Sequence, residues 1–351
     1  KKGTSVVEEL CGVHIYDKKK VCDCYRLFDG KLIDADGKVV REWPHKYLGT
    51  LHKKHYFAQK GYEQKPWGKF TLDKKKLWTK HETIHHDLLI TPNATIITFT
   101  KEMHRYKGRD VDFDVVVEYD QKGKELQRWS TWDNLKQLQQ QHKKLTLDMP
   151  KLPLVPDFAK RKTRSPWGGT HDYYRLNSLQ IIPENTLGKR DRRFQKGNWL
   201  ISFRHGSLIF ILDKDSKDVV WKCSPDELDI QGQHCPQMLE DGSMLIFDNG
   251  RYRMQSRIIR ISPKTFTLLW AYEAKEFFTL SQGYVQLLSN GNYLITESEK
   301  GRAFEVTPDK RVVWEYYHPE KQSRENSLHP ESYGKRQWIY RVVGYAKTFL
   351  S

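Results

Sequence analysis

The sequence predicts an all-β fold: a six-bladed β-propeller with a partly helical insertion, a single domain over residues 1–351. Three observations lead there. An apolar strand, a polar turn and a second strand closing on Trp recur six times. The closing residues Trp43, Trp78, Trp129, Trp221, Trp270 and Trp314 are separated by 35, 51, 92, 49 and 44 residues, all but the 92 near the length of a four-stranded blade. A second hairpin lies between most copies, giving four antiparallel strands per unit.

Taken in order, the first copy spans 31–43 and turns at Asp34-Ala35-Asp36-Gly37. A weaker copy follows at 70–78, then one at 115–129 around Gln121-Lys122-Gly123-Lys124, and three more at 208–221, 257–270 and 302–314. The intervening hairpins are 88–98, the pair 179–182 and 198–202 split by a basic loop at 188–196, the pair Met238-Leu239 and Met244-Leu245-Ile246-Phe247 across Glu240-Asp241-Gly242-Ser243, and 285–296 across Asn290-Gly291. The first copy has no hairpin before it and the segment 338–349 has none after it. These ends are expected to share one blade and close the ring, so that no sheet edge stays open. The long spacing carries an insertion at 130–169. Its first part, 132–144, is rich in Gln, Lys and Leu and reads as helix. Pro150, Pro153, Pro156 and Pro166 then exclude regular structure. The insertion ends just before His171 and reads as a flap beside the central opening or as a plain surface loop. A stacked pair of β-sandwiches is the competing architecture.

Composition narrows the function. Sixty Lys and Arg against 44 Asp and Glu give a net charge of +16, which suits anionic small molecules or polyanions, or a merely solubilising surface. The cations are scattered and no nucleic-acid motif accompanies them, so a specific nucleic-acid binder is not predicted. No run of 18 apolar residues occurs, so no transmembrane segment is predicted. The sequence opens on Lys1-Lys2 without Met, which fits removal of a signal or anchor and an extracytoplasmic setting. Cys22 and Cys24 are too few for a zinc site, whereas Cys223 and Cys235 are placed to close the loop before His234 as a disulfide, or to remain thiols. Glycine-rich nucleotide loops, G-x-S-x-G and H-E-x-x-H are all missing, so neither a cofactor nor a metal is predicted.

What remains is a set of polar residues at equivalent points of the repeats. His85-His86 precede one inner hairpin, and Arg175-Leu176-Asn177-Ser178 precede the next. Arg204-His205 follow a second strand. His234 precedes its hairpin, and Asn249, Arg251 and Arg253 follow it. In a propeller the starts of the inner strands converge on the central channel, so residues distant in sequence meet there.

On these residues the chain resembles the arylsulfate sulfotransferase (arylsulfotransferase-like) family. The resemblance is carried by Asn177-Ser178, Ser202-Phe203-Arg204-His205, the segment from Gln233-His234 to Phe247-Asp248-Asn249-Gly250, and the run from Asn290-Gly291-Asn292 through Arg302-Ala303-Phe304-Glu305-Val306-Thr307-Pro308. Gly12-Val13-His14-Ile15-Tyr16-Asp17 and the 32–43 hairpin fit it as well. It is strongest over 177–319 and weak over 46–78 and in the insertion. The resemblance implies a six-bladed propeller and transfer of a sulfuryl group from an aryl sulfate to a phenol through a sulfo-histidine, without a nucleotide donor. It puts the nucleophile at His234, a supporting Arg at Arg204, an Asn at Asn177 and a further His at His86, with His85 beside it. Bacterial members carry a second His two residues before the Asn. Here that position is Arg175, which cannot exchange a proton near neutral pH. His171 is the nearest substitute.

The chemistry is coherent with these residue types. Sulfuryl transfer spreads negative charge over oxygens that Arg204 and Arg175 can clamp in pairs. A neutral imidazole is a competent nucleophile, and surrounding cations keep it neutral. His205, Arg251 and Arg253 add to the predicted substrate-binding set. Two other readings stay open: a propeller that only binds an anionic ligand such as a sulfated glycan, and a hydrolase, lyase or His-metal enzyme using His86, His171, His205 and His234.

Overall fold

The computed structural model describes residues 10–61, 63–141, 165–322 and 334–350. It is a six-bladed β-propeller, all-β with one short α-helix among the described residues. From the axis outward, blade 1 is Val343–Ala346, Cys24–Phe28, Lys31–Ile33 and Val39–Glu42; blade 2 is Tyr47–His52, His55–Gly61, Gln64–Thr71 and Lys76–Lys80. Blade 3 is His85–Ile90, Ile96–Tyr106, Arg109–Tyr119 and Glu125–Ser130; blade 4 is Leu176–Ile181, Trp199–Phe203, Leu208–Leu212 and Val219–Cys223. Blade 5 is His234–Met238, Met244–Asp248, Arg257–Ile261 and Leu268–Tyr272; blade 6 is Tyr284–Leu287, Tyr293–Glu297, Arg302–Val306 and Val312–Tyr317. The two inner strands of blade 2 lie in a stretch where the sequence shows only the weak 70–78 copy.

Each blade buries both faces, which is why its middle strands are continuous apolar runs. In Leu208–Leu212, Leu208, Phe210 and Leu212 enter the core against blade 3, while Ile209 and Ile211 enter the core against blade 5. That is the period-two alternation of a strand with two buried sides. Among the described residues, six apolar clusters correspond to the six inter-blade interfaces.

The recurrent Trp is an inter-blade peg. The indole N–H of Trp43 donates to Leu72 O, Trp78 to Gln121 O, Trp221 to Pro263 O, Trp270 to Pro308 O and Trp314 to Ala35 O, at 2.8–3.2 Å. Every acceptor sits on the turn between the third and fourth strands of the next blade. Trp129 differs: its Nε1 is buried and has no partner among the described residues.

The ring closes where the chain ends meet. Val343–Ala346 pairs antiparallel with Cys24–Phe28, Tyr345 opposite Tyr25. Gly12–Tyr16, read from the sequence without a strand assignment, adds a fifth strand outside Val312–Tyr317. Across this seam Arg26 and Glu305, both fully buried, form an ion pair at 2.8 Å.

The insertion carries a helix at Leu135–Gln140, shorter than the 132–144 read from the sequence. Leu135 and Leu138 pack into the core between blades 3 and 4, so this part is anchored, not a loose surface loop. Residues 142–164, with Pro150, Pro153 and Pro156 and most of the expected flap, lie outside the described residues. The disulfide considered for Cys223 and Cys235 is not made. All five cysteines are thiols; Cys223 closes the outermost strand of blade 4 while Cys235 lies on the innermost strand of blade 5.

Candidate functional site on the propeller axis

A β-bulge opens the inner strand of blades 2 to 5. In blades 2, 3 and 5 Leu48, His86 and Cys235 take left-handed backbone there, and Arg175 does so just before the inner strand of blade 4. Gln282 holds the same conformation at the entry to blade 6. Such a bulge re-aims side chains at a strand start. Here the entry residues of blades 3 to 6 line a small pocket at the axis. His86 and Asp87 come from blade 3, Asn177 and Ser178 from blade 4, His234 and Cys235 from blade 5. Gln282, Gly283 and Tyr284 close it from blade 6, and Tyr340 and Arg341 from the segment entering blade 1. Gly283 has φ 95°, and a Cβ there would stand 2.6 Å from the Phe247 ring, so the wall accepts only glycine.

His234 is held in one tautomer. Its Nδ1 lies 2.8 Å from Asn249 Oδ1 and 3.1 Å from Gly232 O, two acceptors, so Nδ1 carries the proton. The Asn249 amide cannot turn, because its Nδ2 donates to Thr279 O and Gln282 O, both at 2.9 Å. Nε2 is therefore left with a lone pair and no partner among the described residues. Burial, then the nearby Arg204 and Arg175 charges, lower the His234 pKa to about 3 against the pull of the Asn249 bond, so the ring is neutral.

The second imidazole is set by a relay. His85 Nε2 is 3.2 Å from Thr100 O, which can only accept, so that nitrogen bears hydrogen. His85 Nδ1 then accepts from His86 Nδ1–H at 2.7 Å, and His86 Nε2 is the lone-pair nitrogen. Burial, then the neighbouring His85, Arg175 and Lys101 charges, hold His86 well below the ordinary range. Tyr340 Oη fixes its backbone by donating to His86 O at 2.5 Å.

Asn177 lines the cavity and donates from Nδ2 to Gln233 O at 2.7 Å, bracing the residue before His234. Arg341 is the cation of the wall. One N–H goes to Asp87 Oδ1 at 2.9 Å, and the guanidinium lies over the Tyr284 and Tyr340 rings.

The other predicted residues are placed behind or away from this wall. Arg175 bonds Asp172 at 3.2 Å, and Asp172 also holds Lys101 at 2.5 Å. Arg204 packs against Gly232. Both reach His234 by charge without lining the cavity. His205 donates Nδ1–H to Tyr173 O at 3.0 Å, and its Nε2 is buried without a partner among the described residues. His171 accepts from Arg109 Nη1 at 3.0 Å and pairs with blade 3, away from the cavity. Asn249 stands behind His234, and Arg253 is tied to Asp229 and Asp248. Arg251 packs near Gly232. Among the described residues no group of three or more His, Cys, Asp or Glu is arranged to hold a metal ion.

The arylsulfotransferase (ASST) family model matches residues 31–319. The chain belongs to this family. Among solved structures, a protein of unknown function from Bacteroides caccae is similar at 12% identity and a TM-score of 0.53, covering 92% of this chain and 99% of that one. Virginiamycin B lyase from Staphylococcus aureus is similar at 12% identity and a TM-score of 0.40, covering 79% of this chain and 71% of that one. The first likeness is one of fold alone. No curated protein matches. Within this family member, the sequence reading overlooked Asp87, Gln282, Tyr284, Tyr340 and Arg341. The signal was present: Gln282-Gly283-Tyr284 and Tyr340-Arg341 occupy the same blade-entry position that singled out His234.

Proposed function

We propose that this arylsulfotransferase-family chain transfers a sulfuryl group from an aryl sulfate to a phenolic acceptor, with His234 as nucleophile and no nucleotide donor or cofactor. The observation that carries the reading is the neutral His234 ring at the axial pocket, its proton locked on Nδ1 so that Nε2 keeps the lone pair. Nε2 attacks sulfur, the S–O bond to the aryl group breaks, and the electron pair leaves on the aryl oxygen. In the second half the acceptor phenol loses its proton to His86 Nε2, its oxygen attacks sulfur, and the N–S bond breaks with its electrons returning to His234. Arg341 and the Asn177 amide supply N–H donors at the cavity, while Arg175 and Arg204 supply positive potential. Since Arg175 does not donate a proton, an aryl oxide that leaves without protonation is the preferred product, and donors with acidic phenols are favoured. Among the described residues no helix is long and apolar enough to cross a membrane, and the family setting points to an extracytoplasmic location.

The test is incubation with 4-nitrophenyl sulfate followed by mass spectrometry without acid. One SO3 on the His234 peptide, and its absence in His234→Asn, is the expected result. Tight binding of the aryl sulfate with neither adduct nor nitrophenol release would favour a propeller that only binds anions.

A further inference from the structure

We propose that His85 and Asp114 are positioning residues for the acceptor half of the reaction: they hold His86 with its Nε2 lone pair at the cavity and spread the positive charge that His86 acquires. This rests on the sulfuryl-transfer reading of the same site. The geometry is directional. Thr100 O fixes the His85 proton on Nε2, His85 Nδ1 then fixes the His86 proton on Nδ1, and the cavity nitrogen is left as the base. Asp114 Oδ1 stands 3.5 Å from His85 Nε2, fully buried and without a hydrogen-bond partner among the described residues, while its Oδ2 accepts from the Leu176 N–H at 3.0 Å. A buried carboxylate oxygen with no donor is costly unless a charge appears beside it.

The groups facing this pair are Lys101 on the second strand of blade 3, Asp172 and Arg175 at the entry to blade 4, and His234 of blade 5. Lys101 is 2.5 Å from Asp172 and 3.9 Å from Asp114, so it is a cation shared by both carboxylates, and Asp114 Oδ1 stands closer to His85 Nε2 than to the ammonium. The Trp167 ring meets His85 edge-on and closes its outer side.

When the acceptor O–H gives its proton to His86 Nε2, the ring becomes imidazolium. Its Nδ1–H then strengthens its bond to His85, whose Nε2–H stays on Thr100 O with Asp114 Oδ1 3.5 Å from the ring nitrogen. After the N–S bond of sulfo-His234 breaks and the aryl sulfate product leaves, His86 returns the proton to water. Sulfo-His234 formation needs no proton on His86, so the first half is independent of this relay.

The test is rapid mixing with 4-nitrophenyl sulfate, then phenol as acceptor, on the wild type and on His85→Phe, His85→Gln and Asp114→Asn. The proposal expects the nitrophenol burst of His85→Phe to keep its wild-type rate while phenol-dependent turnover falls by about 10²-fold, the scale of a general base. Sulfo-His234 then accumulates. His85→Gln, which can accept from His86 and donate to Thr100 O, recovers turnover to within about tenfold. Asp114→Asn lowers turnover above about pH 7, where Asp114 is ionised and the imidazolium loses its counter-charge, and changes it little below that pH, so the profile loses its rise through neutrality. Equal loss of burst and turnover in both His85 variants, or an unmoved pH profile in Asp114→Asn, overturns the proposal. A wild type that forms no sulfo-His234 overturns the sulfuryl-transfer reading, and the relay falls with it.

Discussion

Asn249 Oδ1 accepts the Nδ1 proton of His234 at 2.8 Å, and the two hydrogens of the same amide are held by Thr279 O and Gln282 O. One side chain thus decides which imidazole nitrogen meets the cavity. Asn249→Ala frees the ring to turn and to change tautomer. We expect sulfo-His234 formation to slow by roughly 10–10²-fold, with a stability loss of about 1–3 kcal/mol from the carbonyls left without donors. Burst kinetics and urea unfolding measure the two effects separately; an unchanged burst would remove Asn249 from the mechanism.

Arg341 lies over two tyrosine rings and gives one N–H to Asp87, so its guanidinium is held in place at the pocket wall. Arg341→Lys keeps a charge for Asp87 but loses paired donors. KM for the aryl sulfate is expected to rise about tenfold, equivalent to about 1.4 kcal/mol, with a smaller change in kcat. Steady-state kinetics decide this. An unaltered KM assigns the sulfate oxygens to the Arg175 and Arg204 side instead.

The Trp pegs differ in a way that a paired substitution can read. Trp221→Phe leaves Pro263 O without its indole donor and is expected to cost about 1–3 kcal/mol more than the loss of ring area alone. Trp129 is buried to the same extent but donates to nothing among the described residues. Trp129→Phe is therefore expected to be the milder change. Thermal unfolding of the two variants side by side makes the comparison, and equal losses would show that the indole bond contributes little.

Acid is expected to destabilise the fold. Unfolded histidines protonate near pH 6.5, whereas burial lowers His205 to about 4 and His234 to about 3 and depresses His85 and His86 as well. Between those values the unfolded chain binds more protons, so the stability contributed by these groups is complete above pH 6.5 and is lost as pH falls below it. Asp112, raised to about 6, and Asp114, raised to about 7, work in the opposite sense, because the folded state keeps their protons over part of the same range. Four histidines outweigh two carboxyls. Urea midpoints should fall between pH 6.5 and 4.5, and His205→Phe should flatten that slope by up to one proton. A midpoint that rises toward acid would contradict the assignment.

Much of this molecule was legible in the amino-acid order because a propeller is built from local units. The Trp spacing gave the blade count, since five of the six Trp reach the outer turn of the next blade, and recurrent apolar runs such as Leu208–Leu212 marked the blade strands. The blade-entry position of His86, Asn177 and His234 was readable for the same reason. Blade 2 was faint because Tyr47–His52 and His55–Gly61 mix lysine and histidine among their apolar residues, and a bulge after Tyr47 interrupts their register.

What only the tertiary structure decided is which of the many histidines and arginines share a space, and with which nitrogen exposed. His171 and His205 have the same residue type as His234 but are turned to Arg109 and to Tyr173 O. Arg341, 254 residues from its partner Asp87, reaches the cavity only because the ring closes on the C-terminal strand. Strand periodicity is a property of neighbours along the chain. Tautomer, charge pairing and cavity lining depend on groups brought together across blades, and those contacts leave no pattern in a single stretch of sequence.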